Sequence, residues 1–199
     1  MNKDQKLLEE AYCKICESAV TEPLYFGPVE RKQELLNWLE KLKHEVHSDG
    51  SVSVEGEVEL FELSLIRIPF NFRSATGHFD CSHNMLTSLE GAPKGVGGGF
   101  YCYNNKLTSL EGAPKGVGGG FNCGYNKLTS LEGAPKEVGG DFYCYNNKLT
   151  SLEGAPKEVR GEFNSNQFSD QEYRTFAKKR KYVEGKLDKD LNIDLDDFS

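Results

Sequence analysis

The 199-residue chain is most informative first in what it lacks. It has no run of the roughly 18 apolar residues that a membrane-spanning helix needs, and its first residues, MNKDQKLLEE, contain no apolar signal-peptide core. A membrane segment is therefore not expected, and the sequence places the protein in the cytoplasm. There is also no excess of positive charge: 24 Lys and Arg stand against 31 Asp and Glu, a formal net charge of −7. Nucleic-acid and anionic-membrane binding rest on clustered basic side chains, so both start at a disadvantage. The N-terminal part is the most acidic, and residues 76–168 are close to neutral.

Catalytic constellations are equally scarce. His44 and His47 in H-E-V-H miss the i, i+4 spacing of a zinc-protease helix and read as solvated helix-end residues. Cys13 and Cys16 in C-K-I-C resemble half a zinc site or a redox pair, but no second pair follows at ligand spacing and no strand precedes them, so they read as small residues on an amphipathic helix. No Ser-His-Asp arrangement is visible. GVGGGF occurs twice at one fixed period, which marks turns rather than a phosphate-cradling loop. The expectation is a protein with no catalytic residues, no metal and no cofactor.

What is abundant is repetition. FYCYNNKLTSLEGAPKGVGG (100–119), FNCGYNKLTSLEGAPKEVGG (121–140) and FYCYNNKLTSLEGAPKEVRG (142–161) are nearly copies, and FDCSHNMLTSLEGAPKGVGG (79–98) precedes them. The period is 21 residues throughout: Phe79, Phe100, Phe121, Phe142 and Phe163 form one ladder, and Asn84, Asn105, Asn126 and Asn147 another. Each unit is one turn of a coil that buries too little alone and must stack on its neighbours. Alternation puts Phe142 and Cys144 in the core and Tyr143 and Tyr145 outside. Leu149 and Leu152 continue the buried row, Gly154 and Pro156 shape the return, and the Asn amide satisfies backbone groups at the bend. Cys81, Cys102, Cys123 and Cys144 then stack as a small apolar ladder of free thiols.

The segment Phe-x-Cys-x-x-Asn-x-Leu resembles the Leu-x-Leu-x-x-Asn-x-Leu signature of leucine-rich repeats, strongly over 79–161. A worn unit, VELFELSLIRIP (58–69), extends it backwards, with Val58, Leu60, Leu63, Leu65 and Ile68 in register but no Asn at the turn. FNSNQF (163–168) ends it two residues short, if Asn166 and Phe168 stand for Asn147 and Leu149. The expected fold is an α/β leucine-rich-repeat solenoid with a short parallel concave sheet, an irregular convex side, a helical N-terminal cap (1–50), a solenoid over 51–168, and a C-terminal helix and acidic tail (169–199).

In the cap, Leu8, Tyr12, Ile15 and Ala19 share one helical face. Pro28 opens a second helix carrying Leu35, Leu39, Leu42 and Val46. SDGS (48–51) is a turn, and Val52, Val54, Val58 and Leu60 read as extended chain. Ser169 or Asp170 caps a helix over about 170–184. The wording of the repeats and of LLEEAYCKIC is similar to that of leucine-rich-repeat proteins encoded by tailed bacteriophages. That resemblance implies an accessory protein in the host cytoplasm that binds and inhibits a host protein, including one of antiviral defence. Bacterial leucine-rich effectors can carry a ubiquitin-ligase domain after their repeats. The roughly 30 residues beyond Phe168 contain no Cys, so that activity is not expected.

Specificity is expected where the copies differ, on the outward strand positions. After Phe these read Asp80, Tyr101, Asn122 and Tyr143, and after Cys they read Ser82, Tyr103, Gly124 and Tyr145. Gly124 between two tyrosines suggests a notch about 10 Å wide, partly filled by Tyr125. Lys106, Lys127 and Lys148 make a like-charged row beside them, which an acidic partner would relieve, although simple duplication of one solvated Lys explains it as well. The candidate partner-binding residues are therefore Tyr101, Tyr103, Asn122, Tyr125, Tyr143, Tyr145, Lys106, Lys127 and Lys148. Two other readings are open: the acidic helical cap as the effector presented by the repeats, or single-stranded nucleic acid stacked on the tyrosines.

Overall fold

The computed structural model describes residues 6, 7, 10 and 29–191, with side chains from 34 to 180 in the continuous part. Residues 6, 7 and 10 are helical; Leu8, Tyr12, Ile15, Ala19, Cys13 and Cys16 lie outside the described residues, as does the tail after Leu191. Helix α1 (Val29–Glu40) buries Leu35, Leu36 and Leu39 against the first coil. It ends earlier than the apolar spacing suggested. The N–H groups of Lys41 and Leu42 bond back to the carbonyls of Trp38 and Leu39, tightening the last turn, and the chain then enters strand β1 (Lys43–Val46).

Val46 is therefore on a strand, not on a helix with Leu35 and Leu39, and Leu42 lies between the two elements. The physical reason is a hairpin: β1 pairs antiparallel with β2 (Val52–Glu55), with Val46 opposite Val52. The turn at 48–51 that makes this possible is fastened by Asp49, whose Oδ1 accepts the N–H and the hydroxyl of Ser51 at 3.0 and 2.6 Å. Gly50 supplies the positive φ of 78° at the turn.

Beyond the hairpin the chain winds as a parallel β-solenoid of about five turns. Its rungs fall into two sets. One set is β3 (Val58–Glu59), β5 (Phe79–Asp80), β7 (Phe100–Tyr101), β9 (Phe121–Asn122), β11 (Phe142–Tyr143) and β13 (Phe163–Asn164), which form a six-stranded sheet in that spatial order. The other is β4 (Phe72–Ala75), β6 (Gly95–Val96), β8 (Gly116–Val117), β10 (Glu137–Val138) and β12 (Glu158–Val159), which continue β1 and β2 into a seven-stranded sheet. The returning side, expected to be irregular, thus carries a second parallel sheet. Its rungs from β6 to β12 are only two residues long, with Val96, Val117, Val138 and Val159 pointing inward. Register follows the 21-residue period at every step from Val58–Phe79 to Phe142–Phe163.

The core is a set of columns. The rings of Phe79, Phe100, Phe121, Phe142 and Phe163 stack with centroids 5.3–5.5 Å apart and planes within 12° of one another. Beside them run the buried Cys81–Cys144 column and two Leu columns, Leu86 to Leu149 and Leu89 to Leu152. The Asn column closes each bend. Asn126 Oδ1 accepts the N–H of Leu107 in the preceding coil at 3.0 Å, while its Nδ2 donates to the carbonyls of Cys102, Cys123 and Gly124. One side chain thereby fastens two coils and satisfies the backbone of its own bend, as expected from its position.

Both ends of the Phe column are covered. Phe72 meets Phe79 edge-on at 5.2 Å. At the far end Tyr173 stacks on Phe163 at 4.3 Å and 7°. Tyr173 stands on helix α2 (Asp170–Leu191), which runs longer than the expected 170–184. Its cap is Ser169: the Ser hydroxyl accepts the N–H of Glu172, whose carboxylate takes the Ser N–H at 2.7 Å. Asn166 does not continue the Asn147 column. It accepts the N–H of Asn146, and Gln167 donates to the carbonyl of Asn147 at 3.1 Å, so the ladder ends there.

Candidate functional site

The outer face of the six-stranded sheet collects the residues singled out by their variation. Alternation along each rung dictates this: with Phe and Cys fully buried, the residue after each must face out. Tyr101, Tyr103, Asn122, Tyr143 and Tyr145 are all partly exposed on this face. Tyr125 is 53 % exposed and Phe61 45 %, the two large apolar side chains most open to solvent among the described residues. Phe61 lies 21 residues before Ser82 and so belongs to the column of Tyr103 and Tyr145. The period, carried back into the worn unit, identifies it.

Each tyrosine is held by a different neighbour. Tyr101 stacks on His78 with centroids 5.7 Å apart, and its hydroxyl lies over Gly99. Tyr103 meets the His83 ring edge-on at 4.9 Å, and His83 Nδ1 lies 2.7 Å from the amide nitrogen of Asn104. The Tyr143 hydroxyl donates to Asp141 Oδ2 at 2.9 Å. Asn122 turns back on its own strand, its Oδ1 accepting the N–H of Gly124 at 3.0 Å. Asp80 makes the same bond to Ser82 at 2.8 Å and also accepts the Ser82 hydroxyl.

The expected notch at Gly124 is not open. The Tyr145 ring lies over this glycine, close enough that a Cβ there would stand 3.0 Å from its Cε2. Tyr125 meets Tyr145 edge-on at 5.4 Å and Tyr143 flanks it at 6.1 Å. Gly124 therefore serves as a seat for an aromatic cluster and not as a receptor for a partner side chain. Tyr125 is also conformationally unusual, with φ of 52°, in the left-handed region where the equivalent positions carry His83, Asn104 and Asn146. Asn tolerates that region, and a bulky ring does so at a cost.

Lys106, Lys127 and Lys148 stand exposed at the corner where this face turns into the returning loops. Their backbone N–H groups each bond to a Leu carbonyl of the preceding coil (Leu86, Leu107 and Leu128), which fixes the row at the inter-strand spacing of about 4.8 Å. Two acids on the face are already engaged. Asp141 accepts the N–H of Glu162 at 2.8 Å in addition to the Tyr143 phenol, and together these hold its carboxyl below the usual range.

The remaining candidates are structural in character. Cys81, Cys102, Cys123 and Cys144 are buried free thiols whose ionisation burial pushes up, to about 12 for Cys144. No group of His, Cys, Asp and Glu suited to a metal occurs among the described residues. His44 and His47 sit on the hairpin rather than at a helix end: His44 Nδ1 lies 2.9 Å from the Leu42 carbonyl and His47 Nε2 lies 2.8 Å from Ser53 Oγ. No helix among the described residues is long and apolar enough to cross a membrane.

The architecture and the face together define a repeat solenoid with terminal helices. Comparison of the chain with protein-family profiles, with curated proteins and with solved structures finds no match.

Proposed function

We propose that this chain is a non-enzymatic protein-binding module whose contact surface is the tyrosine-rich outer face of the six-stranded sheet, centred on Tyr125, Tyr143 and Tyr145. The observation that carries this reading is Tyr125. An aromatic ring half exposed to solvent, on a backbone that disfavours it, contributes little to the fold and presents a rigid anchor to a partner. Tyrosines on a stacked scaffold offer contact area at low entropy cost, the composition favoured at recognition surfaces.

The repeat signature supports a leucine-rich-repeat protein of the kind encoded by tailed bacteriophages, acting in the host cytoplasm by binding and inhibiting a host protein. The test is capture of partners from a bacterial lysate by the full chain and by Tyr103→Ala/Tyr145→Ala. Loss of the captured protein by about tenfold or more, with the variant still folded and unfolding cooperatively, is the expected result. Equal capture by both proteins removes this face from consideration.

A further inference from the structure

Resting on the protein-binding reading, we infer that the segment received by this face is acidic and lies along the solenoid axis, its carboxylates paired with Lys106, Lys127 and Lys148. Three observations carry it. The three Lys side chains leave the backbone one rung apart, and none of them makes an ion pair among the described residues. Like charges at that spacing repel one another, so the row is a feature that an anionic partner stabilises.

The two aspartates of the face make no ion pair with the row among the described residues. Asp80 is turned onto Ser82, and Asp141 onto Glu162 and Tyr143. The row is also confined to the tyrosine-bearing coils. The coil of Lys106 carries Tyr101 and Tyr103, that of Lys127 carries Tyr125, and that of Lys148 carries Tyr143 and Tyr145. The preceding coil, without outward tyrosines, has Met85 in the Lys column and Asp80 and Ser82 on its face. Aromatic anchors and the Lys column thus change together from coil to coil, which sets positive charge beside the apolar contacts of these three coils.

An extended segment running along the axis presents same-face side chains about 6.8 Å apart, within reach of flexible Lys side chains set about 4.8 Å apart. An acidic residue alternating with an apolar one then sets carboxylates over the Lys row and apolar groups over Tyr125 and Tyr145. The complementarity acts mainly on encounter rate and on discrimination between partners.

The test uses the full chain and three fluorescently labelled probes of about ten units: a peptide of alternating Asp and Leu, one of alternating Lys and Leu, and oligothymidine. The Asp/Leu peptide is expected to bind at least about tenfold more tightly than the Lys/Leu peptide. That advantage should fall about tenfold in Lys106→Gln/Lys127→Gln/Lys148→Gln, and should shrink as salt rises. All three positions are exposed, so the thermal midpoint of the triple variant should match that of the parent. Failure of the Asp/Leu peptide to bind, equal binding of both peptides, or indifference to the triple substitution overturns the inference. So does tighter binding of oligothymidine at physiological salt, which would make the row a phosphate contact. In the lysate capture, loss of the partner by the tyrosine variant but not by the triple Lys variant leaves the protein-binding reading standing and this inference fallen. Retention by both variants overturns the reading itself.

Discussion

The phenol of Tyr143 and the carboxylate of Asp141 form a 2.9 Å hydrogen bond on the outer face of the sheet, and the other carboxylate oxygen accepts the N–H of Glu162 from the next coil. The bond moves the two groups in opposite directions. Asp141 is held below its ordinary range, first by the Glu162 N–H and then by the phenol, while the bond to Asp141 raises Tyr143. The Asp141 contribution to stability is therefore present above the ordinary carboxyl value of about 3.9 and is lost as pH falls through the lower folded value. The Tyr143 contribution is present below about pH 10 and is lost as pH rises through the raised folded value. Asp141→Asn should bring the Tyr143 titration, followed by tyrosinate absorbance against Tyr143→Phe, down toward the ordinary value. An unchanged titration would show that the bond is not made in solution.

The Asn column makes a graded stability prediction. Asn126 is buried and holds the Leu107 N–H together with three carbonyls, whereas Asn147 makes the corresponding bonds with more solvent around it. Asn126→Ala leaves buried donors and acceptors without partners, at about 1–3 kcal/mol for each group that water cannot reach. A loss of about 2–4 kcal/mol is expected in urea unfolding. Asn147→Ala should cost roughly half as much, since water reaches the groups it abandons. Equal costs at the two positions would mean that water does not take over the groups Asn147 abandons.

The parts of this architecture legible in the sequence are those fixed by period and alternation. Phe79 to Phe163 at 21-residue steps set the register of one sheet, and burial of Phe and Cys sent Tyr101, Tyr103, Tyr143 and Tyr145 outward. The second sheet was hidden because rungs such as Gly116–Val117 are too short to alternate and contain glycine, which reads as turn. The hairpin was hidden because Leu39, Leu42 and Val46 keep helical spacing, and only the pairing of Lys43–Val46 with Val52–Glu55 decides otherwise. At the site, the column positions followed from the period, but the closure of the Gly124 notch did not. It depends on which way the Tyr145 ring leans, and that is set by Tyr125 and Tyr143 as well as by Gly124.

Because adjacent coils make the same contacts, one coil should be removable without a seam. Deleting residues 100–120 joins Gly99 to Phe121 and lets Phe79 pair with Phe121 as it pairs with Phe100. The shortened chain should unfold cooperatively with an m-value lower by about an eighth, since 21 residues of the 29–191 span are gone. Deleting 100–119 instead leaves one residue too many and puts Gly120 where Phe must be inward. That variant should be strongly destabilised. Equal behaviour of the two deletions would mean that the period does not set the register.

Tyr125 separates what the face does for the fold from what it does for binding. Its φ of 52° suits the Asn found at the equivalent positions 104 and 146, and a β-carbon bearing a ring pays about 1–2 kcal/mol there that Asn partly avoids. Against this, Tyr125→Asn gives up an edge contact with Tyr145, worth about 0.5–1.5 kcal/mol when buried and less at a side chain that is half exposed. The relief of strain is the larger quantity, so Tyr125→Asn should leave stability unchanged or raise it by up to about 1 kcal/mol. Partner capture should nevertheless fall by about fivefold or more, because the anchor is gone. A destabilisation above about 1 kcal/mol would assign Tyr125 to the fold. Stability and capture that both hold would leave the strained backbone at this position without a role in recognition.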